Sequence, residues 1–359
     1  VLSPIYVQTN VPDCATRDIA LATPAAALFV GITNYPEPAG VFSTPAHFIG
    51  ANLFAGIFSN AASRAQSLPY ESETLTDLAK RDELPKNYAN PMDVVSALGF
   101  GGGGKGYDVP RKEIETALAA QIAKAERIYE KQGHVLLIVY VAAHGFLSDG
   151  EPYFLPSDAI ADKPETWISY RSVVAAAAAF LSRNAPGSNA RTALVIFDTC
   201  QVRHGGENVP KAEIPLPPGL VLVQSAAPGE YAWHWTASNS YQYDKQMVKE
   251  TRIGIGLPPK ERRGHIHGES AGTMSVLPIA NQCFLADAIK AHKQQRGADA
   301  LLSVREWFTG VKTKADSYFV KIPEMQSLGR TQTISIRVAD AQFDPPLFVL
   351  RQSKPPSER

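Results

Sequence analysis

The sequence predicts an α/β protein built on a mostly parallel sheet with helices on both faces. Four short runs, residues 27–32, 135–142, 192–197 and 220–223, are β-branched or wholly apolar. Strands covered by helices on both faces have this composition. Longer segments with helical period lie between and after these runs, and that alternation builds parallel sheets.

The elements follow in order from their residues. Residues 49–61 set Leu53, Phe54, Ile57 and Phe58 on one stripe, and residues 111–131 do the same with Ile114, Leu118, Ile122 and Ala125. Residues 170–182 hold five consecutive alanines, which let a helix approach a sheet closely. Helices are expected again over 283–293 and 304–316, a late strand over 333–338, and a frayed Pro-rich end from Lys354. Three segments read as loops: 100–110, rich in glycine; 202–219, with Pro210, Pro215, Pro217 and Pro218; and 236–272, polar and dotted with Lys and Arg.

Composition narrows the function. The 359 residues are 45% hydrophobic and 19% charged, which excludes a disordered chain and fits one large domain or two small ones. Lys plus Arg and Asp plus Glu number 35 each, so there is no net field for polyanions and nucleic acid is not an expected partner. The apolar stretches fall short of the roughly 18 to 20 residues that span a bilayer, so no membrane partner is expected. Cys14, Cys200 and Cys283 are too few and too scattered for a disulfide framework or a thiolate metal site, and no metal or cofactor is called for. No charged n-region and apolar h-region opens the chain, which gives a cytoplasmic expectation, although a chain starting at Val1 is also compatible with a removed export signal.

Chemistry concentrates at two strand ends. The second run ends in Ala143-His144-Gly145 and the third in Asp198-Thr199-Cys200-Gln201. Parallel sheets bind ligands at the carboxyl ends of their strands. A cysteine there needs a base, because the thiolate is the nucleophile, and the same imidazole can protonate the leaving amine. The amides of Gly145 and Cys200 are candidate oxyanion donors. The plainer alternatives are a small buried thiol and a histidine that serves only the turn.

With these motifs the chain resembles the caspase-like cysteine peptidases, the group of caspases, metacaspases and bacterial relatives. Residues 27–35 (ALFVGITNY) look like the family's first strand, His144-Gly145 like its catalytic histidine-glycine, and residues 150–159 (GEPYFLPSDA) like the hairpin after it. Asp198-Thr199-Cys200 resembles the metacaspase D-x-C motif, and residues 224–233 (QSAAPGEYAW) the segment whose tail pairs with substrate backbone. The resemblance covers about 25–326 and implies a caspase-like (caspase-hemoglobinase) fold with a six-stranded, mostly parallel sheet. It also implies an N-terminal arm over 1–24 and a peptidase domain over 25–345, with a large-subunit part to about 201, a small-subunit part from about 216 and a mobile loop at about 236–272. A tail would follow over 346–359.

The activity implied is peptide-bond hydrolysis by a His144–Cys200 dyad. Side chains two apart on a strand share a face, so the Asp198 carboxylate is expected beside the Cys200 sulfur, where it favours a cationic residue before the cut bond. The three caspase positions that hold an acidic residue align with Asp198, His234 and Ser43, so both arginines are missing and cleavage is expected after Arg or Lys. The alternative for Asp198 is a cap on the following loop. Ser225, Ala226 and Trp233 are the further substrate-binding candidates. The expected partner is a peptide or protein substrate with a basic residue before the bond, with room left for a regulatory protein. Basic residues in 202–218 and 236–272 suggest a zymogen that processes itself there. A catalytically silent binding or scaffold module is the alternative in another class.

The chain departs from the family in several places. Gln201-Val202-Arg203-His204 replaces the usual residues after the cysteine, and Asp149, Glu151 and Asp158 are too few for calcium, which takes six to eight oxygens. Ala46-His47-Phe48 stands near where metacaspases have Asn-Asp-Ala, so the pocket holds one acid or borrows Glu230. His265 and His267 with His234 read as a solvated loop rather than metal ligands, Gly101 to Gly106 lacks the order of a phosphate loop, and His204 has no strand to fix it as a rival base.

Overall fold

Strands that are apolar on both faces must be buried on both, and the four apolar runs lie at the centre of the main sheet. The computed structural model describes residues 18–33, 35, 46–65, 67–77, 108–185, 187–203, 213–232, 234–237, 252–253, 272–295, 298–321 and 332–352. Among these, the strands are β1 (Ile19–Leu21), β2 (Ala25–Gly31), β3 (Tyr70–Thr76), β4 (Val135–Ala143), β5 (Gly145–Ser148), β6 (Glu151–Phe154), β7 (Ile168–Ser169) and β8 (Arg191–Thr199). They continue with β9 (Val202–Arg203), β10 (Leu220–Gln224), β11 (His234–Ala237), β12 (Arg252–Ile253), β13 (Gly272–Ser275), β14 (Ala300–Ser303), β15 (Ser335–Val338) and β16 (Pro346–Leu350). The helices are α1 (Ala46–Arg64), α2 (Arg111–Gln132), α3 (Tyr170–Leu181), α4 (Val276–Gln295) and α5 (Val304–Lys321).

The main sheet has the order β15-β10-β8-β4-β2-β3. Neighbours from β10 to β3 are parallel, whereas β15 pairs antiparallel with β10, so the sheet is mixed. Smaller sheets join β1-β16-β14, β12-β11-β13 and β7-β6-β5-β9. The chain runs from β2 outward to β3, then returns to β4 on the other side of β2 and continues to β8 and β10. The strand order therefore reverses between β2 and β4, where such sheets leave a crevice at their carboxyl ends.

Strand alternation divides the core. Phe29, Ile138, Tyr140 and Ile196 pack with residues of α1, α4 and α5, whereas Leu28, Val139, Val195 and Phe197 pack with residues of α2 and α3. Local signals set the ends of elements. Gly133 ends α2 at φ 74°, its N–H donating to the Tyr129 carbonyl. Asp149 and Gly150, at φ 49° and 76°, form the two-residue turn from β5 to β6, the Asp-Gly pairing that hairpin turns prefer.

Several features stand outside the sequence expectations, among them β9 and β12, which lie in the segments 202–219 and 236–272 expected as loops. Residues 70–76 form the edge strand β3, whose Glu73 accepts a hydrogen bond from Gln121 of α2 at 3.0 Å. β1 and β16, in the segments expected as arm and tail, pair antiparallel with Ile19 opposite Leu350. Ile19, Leu21 and Phe348 lie in the α1-side core.

Candidate active site

The ladder between β4 and β8 ends with Ala142 opposite Asp198 and Ala143 opposite Thr199. The next residue on each chain is His144 and Cys200, so two adjacent parallel strands deliver them to one rim. Both are 5% exposed. A Cβ on Gly145 would lie 2.5 Å from the Cys200 carbonyl oxygen and 2.9 Å from that of Tyr153, so only glycine lets the two chains approach this closely.

The surroundings of His144 come from the reversal of strand order. Its backbone N–H donates to the Tyr35 hydroxyl at 3.0 Å, its carbonyl accepts from the Leu155 N–H at 2.9 Å, and the Tyr35 hydroxyl donates in turn to the Leu155 carbonyl at 3.3 Å. The Tyr35 ring lies 5.0 Å from the imidazole, and the His47 ring meets it edge-on, also at 5.0 Å. His47 Nδ1 is 2.6 Å from the Ile32 carbonyl oxygen, which requires the proton on that nitrogen. The start of α1 is tied down as well: the Phe48 N–H donates to Thr33 Oγ1 at 3.2 Å, and the Thr33 N–H is shared by both Asp77 carboxylate oxygens at 2.7 and 2.9 Å. Sequence reasoning noted His47 only as a departure from a motif and missed Tyr35 and Asp77.

Cys200 Sγ accepts a hydrogen bond from the Ala232 N–H at 3.3 Å and packs with Ala226 and Ala232. Burial pushes the thiol up to about 12; the Ala232 N–H pulls the other way, and the nearby Asp198 charge adds to the rise. The chain from Ser225 to Ala232 is held against this turn. The Gln201 N–H donates to the Glu230 carbonyl at 2.9 Å, the Gly229 N–H donates to the Gln201 carbonyl at 2.8 Å, and the Gln201 side-chain amide donates to the Ala226 carbonyl. The Glu230 carboxylate accepts from the N–H of Ala227 and from both the N–H and hydroxyl of Thr333, at 3.0, 2.6 and 2.9 Å. Glu230 thus fastens the segment.

Asp198 is 1% exposed. Its Oδ2 accepts from the Tyr140 hydroxyl at 2.8 Å, so its side-chain bond runs across the sheet to β4. Oδ1 has no hydrogen-bond partner, and neither do the buried hydroxyls of Ser225 and Ser275. Burial raises the Asp198 carboxyl; the Ser275, Tyr140 and Ser225 hydroxyls stand close enough to pull it back. Ser275 ends β13, and nothing in the sequence links it to this carboxylate.

Of the expected site residues, the structure gathers His144, Gly145, Asp198, Cys200, Ser225 and Ala226 at the ends of β4, β8 and β10. Trp233, Ser43, His204, His265, His267 and most of both basic linkers lie outside the described residues. Among the described residues, no group of three or more His, Cys, Asp or Glu could hold a metal ion, and no helix is long and apolar enough to cross a membrane.

No protein-family model and no curated protein matches the chain. Among solved structures it is similar to the crystal structure of caspase-1 from Spodoptera frugiperda, at 11% identity over 89% of this chain and 88% of that one, with a TM-score of 0.45.

Proposed function

We propose that the protein is a caspase-like cysteine endopeptidase that cuts after Arg or Lys. His144 takes the Cys200 proton, the sulfur attacks the peptide carbonyl, and the protonated imidazole passes the proton to the leaving amine; water then hydrolyses the thioester with His144 again as base. Amides of Gly145 and Cys200 receive the oxyanion. Asp198 receives the basic side chain, while Ser225, Ala226 and Trp233 line the substrate. The observation that carries this reading is the delivery of His144 and Cys200 to one rim by the paired ends of β4 and β8, beside the reversal of strand order.

The hydrogen-bonded, buried thiol supports a latent form, which cleavage in the basic linkers would release. The same thiol favours a second reading, a silent binding or scaffold module. Two fluorogenic peptides, one with Arg and one with Asp before the reporter, separate these readings when given to the wild type and to Cys200→Ala. Arg-dependent turnover that vanishes in the variant supports the peptidase. Turnover only after Asp overturns the specificity, and silence on both after limited proteolysis favours the scaffold.

A further inference from the structure

Three buried oxygens without hydrogen-bond partners converge from three parts of the chain: Asp198 Oδ1 on β8, Ser225 Oγ just past β10, and Ser275 Oγ at the end of β13. Their residues are 1%, 0% and 1% exposed. The two hydroxyls stand close enough to Asp198 to lower its carboxyl and keep acceptor lone pairs when their protons turn toward Oδ1, so the cluster presents three acceptors to a guest that can donate to all three. The second carboxylate oxygen is already taken, because the Tyr140 hydroxyl holds Oδ2 at 2.8 Å. This hold is built in: the Tyr140 ring stacks on Phe54 at 4.2 Å, and a Cβ on Gly50 would come within 2.8 Å of the hydroxyl, so glycine in α1 leaves it the room.

Resting on the peptidase reading, we infer that this cluster selects lysine over arginine, with Tyr140 as the residue that sets the preference. An ammonium is a compact charge with three donors, which matches one carboxylate oxygen and two hydroxyls. A guanidinium binds a carboxylate best through two parallel bonds to both oxygens, and one of these is occupied. The preference follows from acceptor count and geometry, since both guests carry the same charge.

The test uses the full chain and two peptides that differ only in Lys or Arg before the reporter. The wild type is expected to favour Lys in kcat/KM by about tenfold or more, the scale of one charge-assisted hydrogen bond. Tyr140→Phe keeps the stacked ring and frees Oδ2, so Arg turnover should rise and the ratio fall about tenfold. Ser275→Ala should slow the Lys peptide selectively. Equal or Arg-favoured turnover in the wild type, or an unchanged ratio in Tyr140→Phe, overturns the inference.

Binding of the uncut peptides to Cys200→Ala, read by calorimetry, separates this from the peptidase reading. Tighter binding of Lys to Cys200→Ala, together with a wild type that cuts neither peptide, keeps the selectivity and sinks the peptidase. Turnover of Arg as fast as Lys does the reverse, and binding of neither peptide overturns the selectivity.

Discussion

Gly145 and the Cys200 carbonyl define the closest approach at the rim: a side chain as small as a methyl on Gly145 would stand 2.5 Å from that oxygen. The obstructing atoms are backbone on both sides, so neither can rotate away. Gly145→Ala is therefore expected to cost about 2–3 kcal/mol in urea unfolding, at the upper end of overpacking penalties, and to spread the strand ends. Stability within 0.5 kcal/mol of the wild type would show that the two chains do not meet this closely.

Cys200 should resist alkylation. A thiol pushed up to about 12 carries little thiolate at pH 8, so iodoacetamide, followed at this residue by mass spectrometry, should react at least about tenfold more slowly than with a free thiol near its ordinary value. Thr333→Val removes the hydroxyl that Glu230 accepts and loosens the segment over the sulfur. That variant should speed labelling several-fold, and an unchanged rate would detach Glu230 from control of the cysteine.

Asp198 gives a stability effect whose sign follows from its environment. Its native carboxyl is raised above the ordinary 3.8, so the folded chain holds the proton more tightly than the unfolded one. The contribution is whole below about pH 4 and is lost as pH climbs through the native value; at pH 7 the buried charge is a cost. Asp198→Asn should raise Tm at pH 7 by about 1–2 °C, the shift expected for about 1 kcal/mol in a domain of roughly 320 residues. The gain should fade at acid pH while cleavage after basic residues is lost. A lower Tm at pH 7 would contradict the raised carboxyl.

His47 touches the proposed base rather than the substrate. With its Nδ1 proton given to the Ile32 carbonyl, its ring fixes the orientation of His144 from the side. His47→Ala should lower kcat about tenfold with KM little changed. His47→Gln, which can still donate to Ile32, should recover part of the loss. Equal effects on KM, or no rescue, would place His47 outside the positioning of the base.

Legibility tracked the kind of signal each residue carried. β4 and β8 were readable because apolar character on both faces has one solution, and His144 and Cys200 because strand ends point chemistry to one rim. β3 was missed because its YESETLT sequence is the polar pattern of a covered edge, whose Glu73 answers Gln121 and Lys124 on a helix some fifty residues later. Tyr35, His47 and Asp77 were missed because each reaches His144 or its anchor through long-range contacts. Ser275 reaches Asp198 only when β13 has docked. Three-residue β1 carries too few positions for any period to show.

β1 has a mechanical consequence. Ile19 faces Leu350 and Leu21 faces Phe348, so the outgoing chain at Ile19 and that at Leu350 leave the ladder from the same end. Tension between these two points opens the ladder like a zipper, one pair at a time, instead of shearing all pairs together. In an optical trap this clasp should release first and at low force, with the parallel sheet yielding only later as a separate event.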